Sequence, residues 1–266
     1  VAVSAPVIRA AVGRAVRAAL VLWFLVPLVP ILLWAFANRW PFPDLLPQQW
    51  GLDGVRSGFA AGAPRAFLVS AALGLAVAAI ATPAGALAAR ALDSGRVPLP
   101  RLTEAVLFAP LILPAFAVAL GLDVLVLRAR APSPVAVVAV LAVAAIPYTT
   151  YLMRVAFGAY DSGYEDEART LGASRATVLF RVQIPLLAPA LSGAAFLAFL
   201  VGWSDYVVTL LIGGGRVVSV PILVGSFAAG TGNSAVVAAL SLAAVIPPLI
   251  LLVVVARAGR RTGTRT

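Results

Sequence analysis

Residues 160–191, YDSGYEDEARTLGASRATVLFRVQIPLLAPAL, are the longest polar interval between two strongly apolar segments in the second half of the chain. They carry four acids, Asp161, Glu165, Asp166 and Glu167, and three arginines, Arg169, Arg175 and Arg181. The chain around them is 62% hydrophobic and 11% charged, with a mean hydropathy of +1.03. Soluble domains sit near ~45–50% apolar and ~25% charged, so the chain reads as an integral membrane protein. A segment kept polar in such a chain is read as a handle for a soluble partner.

Working outward, six apolar runs are long enough to cross the ~30 Å hydrocarbon core as helices. Span 1 covers 18–37, with Pro27 and Pro30 predicting a kink; span 2 covers 64–89; span 3 covers 102–127 and contains Pro110 and Pro114. Span 4 covers 135–157, span 5 covers 186–212, and span 6 covers 235–256 with Pro247 and Pro248. Span 1 is too long for a signal-peptide core and no small-residue cleavage site follows it. Residues 38–63 mix Pro, Gly, Trp and charge, which predicts an external loop with Trp40 and Trp50 at the interface. The stretch 213–234 is partly apolar but broken by glycines, and reads as an external loop dipping back toward the bilayer.

The charge pattern sets the orientation. The net charge of +10 comes from 20 arginines against 10 acids. With six spans and both termini inside, Arg9, Arg14, Arg17, Arg90, Arg96, Arg101, Arg154, Arg169, Arg175, Arg181, Arg257, Arg260, Arg261 and Arg265 are cytoplasmic, against Arg39, Arg56, Arg65, Arg128, Arg130 and Arg216 outside. Fourteen against six is the bias the positive-inside rule asks for, although Arg128 and Arg130 run against it. Residues 1–17 and 257–266 are then cytoplasmic segments, and the acidic stretch faces the cytoplasm. Nucleic acid is not the expected partner of this positive charge. With no cysteine and no histidine, disulfides, thiolate nucleophiles, the usual zinc sites and imidazole chemistry are excluded.

Within the acidic stretch, Asp161 is placed to cap a helix by accepting from N–H groups near Tyr164, and Glu165, Asp166 and Glu167 fall where a helix dipole favours negative charge. Gly172 supplies a left-handed residue to stop that helix after ten to twelve residues. Ser174 is placed to cap a second helix running from Arg175 toward Gln183, which Pro185 breaks or hands on to span 5. Ala168 and Leu171 offer a small apolar face for a partner's groove. The competing reading is a solvated turn whose charges pair among themselves, Glu165 with Arg169 at i,i+4.

The stretch resembles the cytoplasmic loop signature of binding-protein-dependent ABC importer permeases, Glu-Ala-Ala, three residues, Gly, nine residues, Ile-x-Leu-Pro. Here Asp166-Glu167-Ala168, Gly172 and Val182-Gln183-Ile184-Pro185 stand at those positions. Asp166 replaces the usual Glu and Glu167 the usual Ala, which puts a bulky charge where a small residue often packs. The resemblance runs from about residue 60 onward. It implies an all-α type I ABC importer permease fold, with residues 64–256 as the transmembrane domain and 158–185 as a coupling loop. It also implies that Glu165, Asp166, Glu167, Ala168, Leu171, Gly172, Ala173 and Pro185 engage a cytoplasmic ATPase dimer. ATP and Mg would be bound there, since this chain has no phosphate loop and is expected to bind no cofactor or metal directly. A second permease subunit, as a heterodimer partner or as a second copy of the chain, an external binding protein and membrane lipid complete the implied partners, in the inner membrane of a bacterium.

Substrate is less legible. Asp205, in FLVGWSDYVVTLLIG within span 5, is an intramembrane carboxylate of the kind that faces a pathway. Trp203, Ser204 and Tyr206 beside it suit a cation through aromatic faces, against the reading that Asp205 is simply paired or wetted. Asp123 precedes Arg128 by about one turn and reads as pairing or snorkelling at the outer interface. The span 3 text APLILPAFAVALGL and the loop text ARTLGAS resemble spermidine/putrescine-type permeases, implying a polyamine-like cation. Sugar, thiamine or iron permeases are alternatives, and a membrane enzyme or structural subunit is a remote one.

Overall fold

The computed structural model describes residues 5–41, 43–95 and 97–263, and side chains within 12–257. Arg96 and Arg265 lie outside the described residues, and the side chains of Arg9, Arg260 and Arg261 outside the described side chains. The chain is helical nearly throughout. In order it forms α1 (Ala5–Leu25), α2 (Leu28–Ala35), a short hairpin of β1 (Ala37–Arg39) and β2 (Gln49–Trp50), α3 (Asp53–Ala60) and α4 (Ala63–Asp93). Then come α5 (Pro100–Ile112), α6 (Ala115–Arg128), α7 (Ser133–Gly158), α8 (Gly163–Thr170), α9 (Arg175–Val178), a π-helical turn (Leu179–Gln183) and α10 (Ile184–Ser204). The last elements are α11 (Val207–Gly213), α12 (Val220–Ala228) and α13 (Ser234–Gly263).

Among the described residues, four helices are long and apolar enough to cross a membrane, 63–93, 133–158, 175–204 and 234–257. Two bent helix pairs raise the number to six if each pair is counted as one span. α1 and α2 meet at 47° at Pro27, the kink that proline imposes by removing a backbone donor. Span 3 is not the single run 102–127 of the sequence reading: α5 and α6 meet at 103°. Leu113 and Pro114 are both extended there, since proline disfavours helix at the residue before it. Span 5 also differs, because α10 stops at Ser204 and α11 begins afresh at Val207. Residues 38–63 and 213–234 are not plain loops but contain the hairpin with α3, and α12, respectively.

Two compact units partition the contacts. The larger, residues 63–223 with 244–266, is built on α4 packed along α7 and α10. Its centre joins Leu73, Val77 and Ala81 of α4, Val137, Leu141 and Ala145 of α7, Ala198 of α10, and Val208 and Ile212 of α11. Bilayer helices have little hydrophobic drive to associate, so small residues that let backbones touch carry the packing. Gly74 and Gly202 do this at the α4–α10 crossing, where a Cβ on Gly202 would lie 2.8 Å from the Gly74 Cα. Thr149 of α7 donates across the bundle to the Ala81 carbonyl at 2.9 Å, and the Ser70 hydroxyl accepts from the Val220 N–H at 2.8 Å, anchoring the start of α12. In the smaller unit, residues 1–62 with 224–243, Ala35, Ala238 and Ala239 pack with Ile31, Trp34 and Val55, and Trp34 lies 4.8 Å from Trp40, ring to ring.

Candidate functional site

The polar stretch folds as helix, tight turn, helix. Asp161 spends its carboxylate on the Gly163 N–H at 2.8 Å rather than near Tyr164, so α8 starts at Gly163 and has eight residues, not ten to twelve. At its end the Gly172 N–H donates to Arg169 O at 2.9 Å and the Ala173 N–H to Ala168 O at 3.0 Å. These are the paired bonds of a Schellman cap, and they need the positive φ of 81° that Gly172 adopts. Ser174 caps the next helix, its hydroxyl accepting from the Thr177 N–H at 3.2 Å. Pro185 does not interrupt that helix: residues 175–204 run on as one. The π turn just before it loosens the ladder where the proline ring would otherwise crowd the preceding turn.

Glu165 ties these pieces together. It is 7% exposed, in a segment otherwise open to water. Its carboxylate receives Arg169 of its own helix at 3.0 Å, Arg90 at the end of α4 at 3.5 Å, and the side-chain amide of Gln183 from the π turn. Arg90 also donates to the Gln183 side-chain oxygen. Gln183 is 4% exposed, so three elements far apart in sequence converge on one buried acid. Below them Ala89, Met153, Leu187 and Ala194 form a small apolar core with Phe157 and Tyr160 at its edge. A polar cavity of about 260 Å³ opens beside the network, lined by Arg90, Asp93, Tyr160, Ser162 and Glu165. Burial, then the negative charge of Glu165, push the Tyr160 phenol above its ordinary range, with Arg90 opposing.

The remaining loop residues face outward. Asp166 meets only Arg169, at 3.3 Å. The Glu167 side chain is exposed and packs into nothing within the chain. Ala168 and Ala173 are half-buried and Pro185 is exposed. Leu171 at 83%, Phe180 at 66% and Tyr164 at 53% exposure leave an apolar surface beside the acids.

The second group of candidate residues is differently employed. The Asp205 carboxylate accepts from the N–H groups of Val208 (3.4 Å) and Thr209 (2.7 Å) and from the Thr209 hydroxyl (2.9 Å), and so starts α11. Trp203 is buried, stacked on Phe199 with centroids 5.7 Å apart, and its indole N–H donates to the Ala244 carbonyl at 3.2 Å. Ser204 donates back to Leu200 O at 2.7 Å. Tyr206 keeps an exposed ring, at 41%. Asp123 forms no ion pair with Arg128, which removes the pairing half of the sequence reading.

Sequence reasoning gave Glu165 either to the ATPase contact or to an i,i+4 pair with Arg169, which it does make, and missed Arg90 and Gln183 as its further partners. The only available signal was Gln183 itself, a lone amide in an apolar run. It also missed the 2.9 Å ion pair of Glu104 with Arg154, which ties α5 to α7.

Residues 5–262 match the family described as binding-protein-dependent transport system inner membrane component. The chain is 25% identical over 264 residues, 97% of each, to a putative 2-aminoethylphosphonate transport system permease protein of Salmonella typhimurium. It is 28% identical over 111 residues, 42% of this chain and 45% of the other, to a molybdate/tungstate transport system permease protein of Pyrococcus abyssi. The crystal structure of a bacterial ABC transporter that imports the acidic polysaccharide alginate shares the fold, with a TM-score of 0.68 at 18% identity, covering 97% of this chain and 98% of that one.

Proposed function

The chain belongs to the family of binding-protein-dependent transport system inner membrane components, and from that membership we propose how it works as the permease subunit of an ABC importer. α8 is the coupling helix. It seats its acids and the Tyr164–Leu171–Phe180 surface in a groove of a partner ATPase, and closure of that ATPase dimer on ATP and Mg moves α8. The observation that carries this reading is the buried Glu165 network. Through Arg90 and Gln183 it fastens α8 to the ends of α4 and α10, so displacement of a short surface helix is passed to two membrane helices. In this reading the chain crosses six times with both termini cytoplasmic, so that α8 lies on the ATPase side, a topology that the fourteen-to-six arginine distribution supports. A second permease subunit and an external binding protein complete the importer.

The experiment is purification in mild detergent with the ATPase co-expressed, with a cysteine introduced at Ala168. Co-purification and a crosslink from that position to the ATPase are expected. Failure of both removes the coupling reading.

For cargo, the polyamine-like cation of the sequence reading and the 2-aminoethylphosphonate named for the Salmonella relative share one chemical feature, an alkylammonium group. A small ammonium-bearing solute is therefore the reading favoured here, with uptake competition by putrescine and by 2-aminoethylphosphonate as its test. The pathway role first given to Trp203, Ser204, Asp205 and Tyr206 rests now on the helix break they form and on the exposed Tyr206 ring. The Asp205 charge is already met by backbone donors.

A further inference from the structure

Asp123 is a carboxylate in an apolar helix that the permease mechanism above leaves unused. It lies in α6, five residues before the terminal Arg128. With 3.6 residues per turn, its face is that of Ala119, four residues back and fully buried, and of Val126, three residues on, which packs against the central core. Val124, Leu125 and Leu127, at 50%, 58% and 69% exposure, point elsewhere around the helix. Asp123 is thus on the rim of the packed face, half-buried, not on the outward apolar face. α6 packs along α11, the helix that begins just after the break at Asp205 and Tyr206.

Of the other acids in the membrane helices from α4 to α11, Asp93 is exposed at the very end of α4, and the rest are engaged. Asp205 is satisfied by two N–H groups and a hydroxyl, and Glu104 is paired with Arg154. Among the described residues Asp123 makes no hydrogen bond and no ion pair, although Arg128 and Arg130 follow closely in sequence. A charged carboxylate in hydrocarbon without a partner is costly, and intramembrane acids accordingly face water-filled cavities or paths. We infer that Asp123 faces the aqueous substrate path of the assembled importer and meets the ammonium group of the cargo there. This rests on the ammonium-bearing cargo reading. It moves the specificity-determining charge from Asp205, whose lone pairs are taken, to a residue whose lone pairs are free.

The absence of cysteine from the chain makes a direct test clean. Asp123→Cys, Leu125→Cys and Arg128→Cys are each assembled with the ATPase partner in proteoliposomes and treated with a membrane-impermeant cationic methanethiosulfonate. Reaction at 123 and 128 but not at 125 is expected. Lack of reaction at 123, with 128 reacting, overturns the placement whatever the cargo. For the chemistry, uptake of 2-aminoethylphosphonate and of ethylphosphonate is measured with Asp123→Asn and Asp123→Glu. Asn is expected to raise KM for the aminated compound at least tenfold with little change in kcat, Glu to restore it, and ethylphosphonate to change less than twofold. Equal losses for both compounds overturn the ammonium contact. If the native chain transports neither compound nor putrescine, the cargo reading falls and the ammonium contact with it, while thiol reactivity at 123 still decides the pathway placement.

Discussion

Replacing Glu165 by alanine should detach α8 while leaving the membrane bundle folded. The Gln183 amide, 4% exposed, would lose its acceptor, and a buried donor left unpaired costs ~1–3 kcal/mol. The arginine side chains contribute less, because Arg90 and Arg169 are 45% and 49% exposed and rehydrate once released. Pairs so exposed are worth ~1 kcal/mol or less each. The sum is about 1–5 kcal/mol, which at ~1.4 kcal/mol per tenfold is roughly a 5- to 4,000-fold shift toward a detached α8. Glu165→Gln keeps an acceptor of the same shape for Gln183 and loses only the charge, so its cost is about 1–2 kcal/mol. Hydrogen exchange in nanodiscs reads this directly, with amides of 163–170 losing protection in the order alanine over glutamine over native. In proteoliposomes, solute moved per ATP hydrolysed should fall in the same order. An alanine variant with native exchange in α8 and native coupling would refute the fastening role of Glu165.

Four further outcomes follow from the same geometry. Gly172→Ala meets no atom within 4 Å but must hold a φ of 81°, so a cost of ~1–2 kcal/mol should appear as increased exchange in α8 with the thermal midpoint of the bundle nearly unmoved. Gly202→Ala places a methyl 2.8 Å from the Gly74 Cα, and overpacking of ~1–3 kcal/mol should lower that midpoint, read by fluorescence in detergent. Asp205→Asn retains an acceptor for Thr209 and should keep uptake near native, whereas Asp205→Ala should lower it for all cargoes alike; selective loss of cationic cargo in the Asn variant would return Asp205 to the path. The Tyr160 phenol, held above 10.0 by burial and Glu165, keeps its proton in the fold after the unfolded chain has begun to lose it. Stability is therefore unaffected below pH ~10 and falls as pH rises beyond it, and Tyr160→Phe should remove that component of an alkaline unfolding curve.

Much of this architecture was legible because bilayer helices write themselves in long apolar runs. The 63–93 and 133–158 helices differ from the sequence boundaries by only a few residues. The loop was legible for another reason: Gly172 and Ser174 act through their own backbone and nearest neighbours, so their chemistry is local. What escaped was non-local. Glu165 looks like its neighbours Asp166 and Glu167 in the sequence, and only its partners, 75 residues upstream and 18 downstream, distinguish it. The partners of Asp205 were hidden for a related reason, since an acid in an apolar run looks free until the break in its own helix supplies N–H donors. The 103° bend between α5 and α6 was hidden because proline in a membrane helix signals a kink but not its size.

The Glu165 network also has a consequence for the order of assembly. α8 is eight residues long, below the ~12–15 at which an isolated helix becomes even marginal in water. Its stability is therefore borrowed from contacts that exist only after α4 and α10 have come together. On a nascent chain that ends before the π turn, Glu165 has no Gln183 to hold, and exchange measured on such a truncated chain should find residues 163–170 unprotected. α8 is thus ordered only once the membrane helices are in place, so an ATPase that docked on it would select finished subunits from unfinished ones.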